Sequence, residues 1–169
     1  NNADIHPLTT HYSLDGIDAQ IDMKGERIDI QSYLVGEYNL LNLMAGIGAG
    51  VALGISIEKI RLGINSLDTV PGRMENIQTS LPGDYFVDYA HTPNAFIQIF
   101  KTLKKLTTNE RDIITVFGCG GNRDSQKRPV MAEIAENYSD YVIVTSDNPR
   151  MENLEKIIDD IVTGFHKSN

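Results

Sequence analysis

Three short segments carry most of the chemically useful side chains in this 169-residue chain. Asp147-Asn148-Pro149-Arg150 offers a carboxylate, an amide that both donates and accepts, and a guanidinium in a row. Such a set can hold a zwitterionic amino acid, its carboxylate on Arg150 and its ammonium on Asp147. An Asx-Pro turn leading into an exposed helix start would use the same residues. Gly118-Cys119-Gly120-Gly121-Asn122-Arg123-Asp124 is a glycine loop whose backbone N–H groups can approach an anion, with Arg123 and Arg128 as fixed cations beside it. A tight strand-to-helix turn with solvated arginines is the competing reading. The dinucleotide fingerprint G-x-G-x-x-G is not met, because Arg123 stands where its last glycine belongs. In Asp88-Tyr89-Ala90-His91-Thr92-Pro93, the proline fits the first turn of a helix. A helix N-terminus favours anions, so Asp88 and His91 are candidates to flank a phosphate group, although lone Asp and His residues are often structural. The single cysteine, Cys119, excludes an internal disulfide and a thiolate metal site. It reads as a small residue at a crowded turn, with no nucleophilic role.

Each segment follows a short apolar run, and those runs alternate with helical patterns. Residues 84–89, 112–117 and 141–145 read as strands; residues 93–106, 127–138 and 153–165 read as helices. That order predicts an α/β fold, a parallel sheet with crossover helices, and ligands bind such sheets at the carboxyl ends of the strands. Residues 112–117 are nearly all apolar, which predicts a strand buried on both faces.

The N-terminal part has a different rhythm. Residues 12–21 and 27–31 alternate with period two, and Met23-Lys24-Gly25-Glu26 reads as the hairpin turn between two strands. Residues 40–57 read as one long apolar helix, with Gly46, Gly50 and Gly54 at the spacing of close helix packing. The run approaches the length of a membrane span, but Asn42 and Ser56 interrupt it and its flanks lack aromatic or basic anchors. A buried helix is the expectation, and no membrane span. A second helix should start after Ser56 and run to about Leu67. Val70-Pro71-Gly72-Arg73 then breaks the pattern, which places a domain boundary near residue 70 and divides the chain into 1–70 and 71–169. Residues 12–34, which the family resemblance set out below implies are detached from a larger sheet, should then be less protected from amide exchange than strands 112–117 and 141–145.

With 15 Lys+Arg against 23 Asp+Glu the net charge is −8, and 41% of residues are hydrophobic. That balance excludes wholesale disorder and argues against a nucleic-acid partner. No secretory leader opens the sequence, and the lone cysteine suits a reducing compartment, so a cytoplasmic location is expected.

Taken in order, Gly36-x-Tyr38-Asn39-x-x-Asn42, Val70-Pro71-Gly72-Arg73-Met74-Glu75, the Asp88–Pro93 segment, Phe117-Gly118-Cys119-Gly120-Gly121-Asn122-Arg123-Asp124 and Asp147-Asn148-Pro149-Arg150 resemble the Mur ligases, most closely those that add a diamino acid. The resemblance covers nearly the whole chain. It implies that residues 1–70 are the tail of a central ATPase domain and 71–169 most of a Rossmann-like C-terminal domain. The family's phosphate loop, modified lysine, UDP-binding domain and Gly-Lys-Gly-His-Glu segment have no counterpart here. The chain therefore resembles an interior fragment, inactive alone, with the ligands of Mg2+ outside it and no metal site of its own.

The implied activity is ATP-dependent amide ligation in peptidoglycan precursor synthesis. A D-glutamate carboxylate of UDP-MurNAc-L-Ala-D-Glu becomes an acyl phosphate, and an incoming amine attacks it. By resemblance Asn39 meets the adenine, Arg73 and Asp88 approach ribose and phosphates, and His91 lies near the transferred phosphoryl group, making His91 and Asp88 the catalytic candidates. Arg123, Asp147, Asn148, Pro149 and Arg150 would hold the added amino acid. Asp-Asn-Pro-Arg resembles the members that add meso-diaminopimelate, whose distal carboxylate needs a cation. A lysine-adding ligase, cyanophycin synthetase, folylpolyglutamate synthase, or a non-catalytic binding fragment are the alternatives.

Overall fold

The computed structural model describes residues 3–107 and 111–166. It divides into two compact units, Asn1–Tyr89 and Ala90–Asn169.

The first unit opens with an antiparallel sheet of β1 (Ile5–Ser13), β2 (Gly16–Met23) and β3 (Glu26–Ser32), in that spatial order. Alternation buries Ile17, Ala19, Ile21 and Met23 of β2 with Ile28 and Ile30 of β3. Helices α1 (Glu37–Ala52) and α2 (Ile57–Asn65) bury Leu40, Leu43, Ile47 and Ile64 in the same cluster. The period-two run 12–21 is not one strand. It crosses the turn at Leu14-Asp15, where Ser13 pairs with Gly16 and Ser13 Oγ accepts the Asp15 N–H (3.2 Å). A two-residue turn leaves the alternation unbroken, so periodicity could not reveal it. The Lys24-Gly25 turn falls where expected, between β2 and β3.

The apolar run 40–57 does not continue as one helix. It ends at Ala52, and Gly54 takes a φ of 73° that breaks the helical path. Among the described residues no helix is long and apolar enough to cross a membrane. After α2, a small antiparallel pair joins β4 (Glu75–Asn76) to β5 (Phe86–Val87). The strand expected over 84–89 is thus shorter, and its backbone bonds go to the preceding turn rather than to a parallel neighbour: Ile77 N–H to Tyr85 O (2.8 Å) and Tyr89 N–H to Gly72 O (2.8 Å). These bonds keep residues 70–89 with the first unit, so the compact units divide later than the Pro-Gly turn.

The second unit runs α3 (Pro93–Leu106), β6 (Ile114–Phe117), α4 (Lys127–Tyr138), β7 (Tyr141–Val144) and α5 (Leu154–Val162). β6 and β7 pair in parallel from Ile114↔Tyr141 to Phe117↔Val144, with α4 as the crossover, as the α/β reading requires. Thr92 caps α3 by accepting the Ala95 N–H (3.3 Å), and Asn153 caps α5 by accepting the Lys156 N–H (3.1 Å). Phe96, Phe100, Phe117, Met131, Ile157 and Ile161 form the core, with Phe96 packed on Phe100 (4.9 Å between ring centroids) and on Phe117 (5.3 Å).

The expectation that residues 112–117 are buried on both faces is corrected. Phe117 points into the core with Val142 and Val144, while Ile114 (62% exposed), Val116 (60%), Tyr141 (62%) and Ile143 (52%) face outward. Side chains alternate across a strand, and the described helical core residues pack with only one of the two alternating sets.

Candidate functional site

The carboxyl ends of β6 and β7 run into two loops, residues 118–124 and 145–152, whose backbones touch. A Cβ at Gly118 would collide with Thr145 O, and one at Gly121 with Pro149 O. These two glycines therefore answer to loop-on-loop packing, which is the turn reading of the glycine run. The loops are also bonded reciprocally. Gly121 N–H donates to Asn148 O (2.9 Å), Arg150 Nη1 to Gly121 O (2.7 Å), and Met151 N–H to Asn122 Oδ1 (3.0 Å). Asn148 Oδ1 accepts the Arg150 N–H (3.1 Å), an Asx turn. Asn122 and Arg150 both take left-handed φ values of 51°. An Asn tolerates that conformation and an Arg rarely adopts it, so tertiary contacts must hold Arg150 there.

The resulting surface carries opposite charges close together. Around Gly120, a Cβ would meet Arg150 Nη1 at 2.9 Å and Asp147 Oδ2 at 3.5 Å. Asp147, Asn148, Arg150 and Arg123 are exposed and Pro149 is half-buried. Cys119 is buried, and that burial pushes its thiol up from the ordinary cysteine range, keeping it protonated and unreactive.

Arg128, read from sequence as an anion-facing cation beside Arg123, has another job. It is fully buried and donates to Glu152 Oε1 (2.7 Å), Glu152 Oε2 (2.8 Å), Asp160 Oδ2 (2.7 Å) and Gly120 O (3.4 Å). The Arg128 hydrogen bonds, joined by the Asn122 N–H, hold the Glu152 carboxyl down to about 2, and Arg128 also lowers Asp160. Sequence reasoning passed over Glu152 and Asp160. The available signal was an acidic residue two places after the Arg150 turn.

His91 lies just before α3, and its carbonyl accepts Lys127 Nζ (2.6 Å), which brings a cation to that helix end. In the first unit, Asn39 is buried. Its Nδ2 donates to Val35 O (2.8 Å) and its Oδ1 accepts from Asn42 Nδ2 (3.2 Å). Asp88 Oδ2 accepts the Met74 N–H (2.8 Å), beside Arg73. The Tyr38 hydroxyl is buried with no hydrogen-bond partner among the described residues; burial, then the nearby Asp88, push its pKa up, while Arg73 opposes the shift. Structure thus brings Tyr38, Arg73 and Asp88 into one neighbourhood, and Asp147 and Arg150 into another. Among the described residues no three His, Cys, Asp or Glu side chains converge as a metal site.

Stapled loops carrying exposed opposite charges, at the carboxyl ends of parallel strands joined by a crossover helix, make this an α/β domain of the kind whose ligands bind at that edge. The chain belongs to the Mur ligase family: the model of the Mur ligase glutamate ligase domain matches residues 72–168. It is 43% identical over 163 residues to the UDP-N-acetylmuramoyl-L-alanyl-D-glutamate–2,6-diaminopimelate ligase of Fusobacterium nucleatum, covering 96% of this chain and 33% of that protein. It is 47% identical over 154 residues to the ligase of the same name from Geobacter metallireducens, covering 91% of this chain and 30% of that one. A solved 2,6-diaminopimelate ligase of that name superposes with a TM-score of 0.62 at 38% identity, over 98% of this chain and 34% of the other. The chain thus spans about a third of the length of the relatives it matches. Folylpolyglutamate synthase from Thermotoga maritima shares the fold, with a TM-score of 0.77 at 21% identity over 97% of this chain and 38% of that one.

Proposed function

We propose that this chain works inside a full-length ATP-dependent amide ligase that adds meso-diaminopimelate to UDP-MurNAc-L-Ala-D-Glu in peptidoglycan synthesis. The observation that carries the reading is the placement of Asp147 and Arg150 side by side at Gly120. A diamino acid with two carboxylates needs a cation for the distal carboxylate and an anion for an ammonium, and this pair supplies both. Arg123, Asn148 and Pro149 complete the amino-acid loop pair. Relatives named for 2,6-diaminopimelate support that substrate.

ATP would supply the phosphoryl group that activates the acceptor's carboxylate as an acyl phosphate, ready for attack by the amine. The residues fit a nucleotide. The partnerless buried Tyr38 hydroxyl beside Asp88 and Arg73 is a donor suited to a ribose or phosphate oxygen. Asn39 keeps one amide hydrogen and one lone pair beyond its bonds to Val35 and Asn42, enough to meet a base edge. His91, with Lys127 on its carbonyl and α3 behind it, would stabilise the transferred phosphoryl group. Any Mg2+ would take its ligands elsewhere, and a cytoplasmic site of action goes with this reading. Residues 1–70 would be the tail of the central ATP-binding domain and 71–169 the amino-acid-binding domain, which also lends Arg73, Asp88 and His91 to the nucleotide; the family match from residue 72 supports that division. The chain alone lacks a phosphate loop and should not turn over.

Arg150 tests the proposal. In the full-length ligase, Arg150→Ala should raise the diaminopimelate KM by about 30- to 1000-fold, the effect of losing a bidentate charge-assisted contact, and leave the ATP KM in place. Arg150→Lys should rescue poorly, because an ammonium cannot reproduce the planar fork. Poor use of lysine should be unchanged, since lysine has no distal carboxylate. If Arg150 only staples Gly121 O, diaminopimelate and lysine will lose equally, and the substrate reading falls.

A further inference from the structure

Beneath the exposed loop pair sits an ion pair that joins a fully buried guanidinium to two partly exposed carboxylates. Arg128 is 0% exposed, yet its guanidinium contacts both loops: it donates to Gly120 O in one and grips the Glu152 carboxylate with two nitrogens in the other. Glu152 closes the circuit, since its Oε2 also accepts the Asn122 N–H (3.0 Å) and its own N–H donates to Pro149 O (3.0 Å). Asp160 on α5 takes the remaining reach of Arg128 Nη1 and anchors the pair to the helical layer.

Stability alone is a poor account of this arrangement. Desolvating an ion pair roughly cancels its attraction, and apolar residues of equal volume often stabilise as well or better. Here the burial also leaves Arg128 Nε without a partner among the described residues, a cost an apolar side chain would not carry. What an apolar residue could not do is hold two loop backbones at a set separation through directed bonds. Glu152 bonds the residue before Arg123 and lies two places after Arg150, so it touches the footing of both arginines.

We propose that Arg128 and Glu152 are positioning residues, a clamp that fixes loop 118–124 against loop 145–152 and thereby sets where Arg123 and Arg150 meet the added amino acid. The proposal rests on the reading of these loops as the amino-acid site. Neither residue touches substrate; both act through the arginines above them. Glu152→Gln keeps length and one acceptor for Asn122 but removes the charge that Arg128 grips.

The experiment is steady-state kinetics of Glu152→Gln, Arg150→Ala and the double variant in the full-length ligase, with diaminopimelate and ATP varied separately. Glu152→Gln should raise the diaminopimelate KM about tenfold or more and leave the ATP KM within about twofold. In the Arg150→Ala background the further loss should shrink below about threefold, because one of the two positioned arginines is gone and only Arg123 is left to respond. Arg128→Lys, which keeps a buried cation but not the fork, should show the same split and carries the test should Glu152→Gln not fold. A diaminopimelate KM unmoved by Glu152→Gln while Arg150→Ala raises it overturns the clamp and leaves the site reading standing. Equal rises in both KM values also overturn it, marking a general loss of fold. If Arg150→Ala leaves the diaminopimelate KM unmoved, the site reading itself has failed, and amide exchange at Asn122 decides the clamp: faster exchange in Glu152→Gln keeps it, and unchanged protection overturns it.

Discussion

In the first unit the singled-out Asn39 is buried and Asp88 half-buried, with Arg73 exposed, whereas in the second the singled-out loop residues face solvent and the buried charge lies beneath them. Asn39 is 2% exposed with both ends of its amide bonded, and Asp88 holds the Met74 turn. Asp147, Asn148 and Arg150 are exposed, and Arg128 with Glu152 carries the structural load. On the proposed function, one region asks the same side chains to build and to bind, and the other separates the two tasks. Substitutions should therefore confound stability with binding in the first unit and separate them in the second.

The largest effect should come from deleting the buried cation. Arg128→Ala leaves Glu152 and Asp160 without their shared partner and should lower stability by about 3 kcal/mol, the lower end for a broken buried pair because the acids are partly exposed. Chemical denaturation monitored for each unit checks it, and equal destabilisation of the first unit would break the contrast. Next in size is Asn39→Ala, which strips two hydrogen bonds from a buried amide and should cost about 1–3 kcal/mol. In the full-length ligase it should raise the ATP KM and leave the diaminopimelate KM alone, so stability and binding fall together. A variant that loses ATP affinity at full stability would show that Asn39 only binds.

Acid gives a smaller and more selective signal. The folded Glu152 carboxyl titrates at about 2, below its ordinary value of 4.5, because Arg128 and the Asn122 N–H favour the charged form. A lowered carboxyl contributes stability that is present above the ordinary value and is lost as the pH falls from about 4.5 towards 2. The second unit should weaken through that window, and Glu152→Gln should flatten the slope. An unaltered acid profile in the variant would remove Glu152 as its source. The smallest effect concerns exchange. β2 is bonded on both sides, by β1 and β3, and its inward face is buried, while β7 pairs with β6 alone among the described strands. Amides of β2 should exchange more slowly than those of β7, the reverse of what the sequence suggests for residues 12–34. Faster exchange in β2 would restore the sequence-based order.

Much was legible before any coordinates. Three helices of the second unit lie over residues that the 3.6 period marks, with Pro93 at the first turn and Thr92 capping it. The loops ending β6 and β7 hold the residues whose types pointed to an amino-acid ligand. Less legible were the turn hidden in residues 12–21 and the exposed outer face of β6, because alternation survives a two-residue turn and an apolar run does not say how many faces are covered. Most opaque were the roles within the loops. Arg123 and Arg128 look equivalent in sequence, five positions apart beside the same glycines, yet one is exposed and the other is fully buried.

By itself the sequence determined the elements, the α/β order and the family, since periodicity, caps and motif order are local properties of the chain. Tertiary structure alone decided which charges are exposed and which hold the frame. That choice turns on partners distant along the chain, Arg128 with Glu152 and Asp160, and Gly121 against Pro149. A charge takes its role from the groups that share its burial, and only the folded backbone brings those groups within bonding distance.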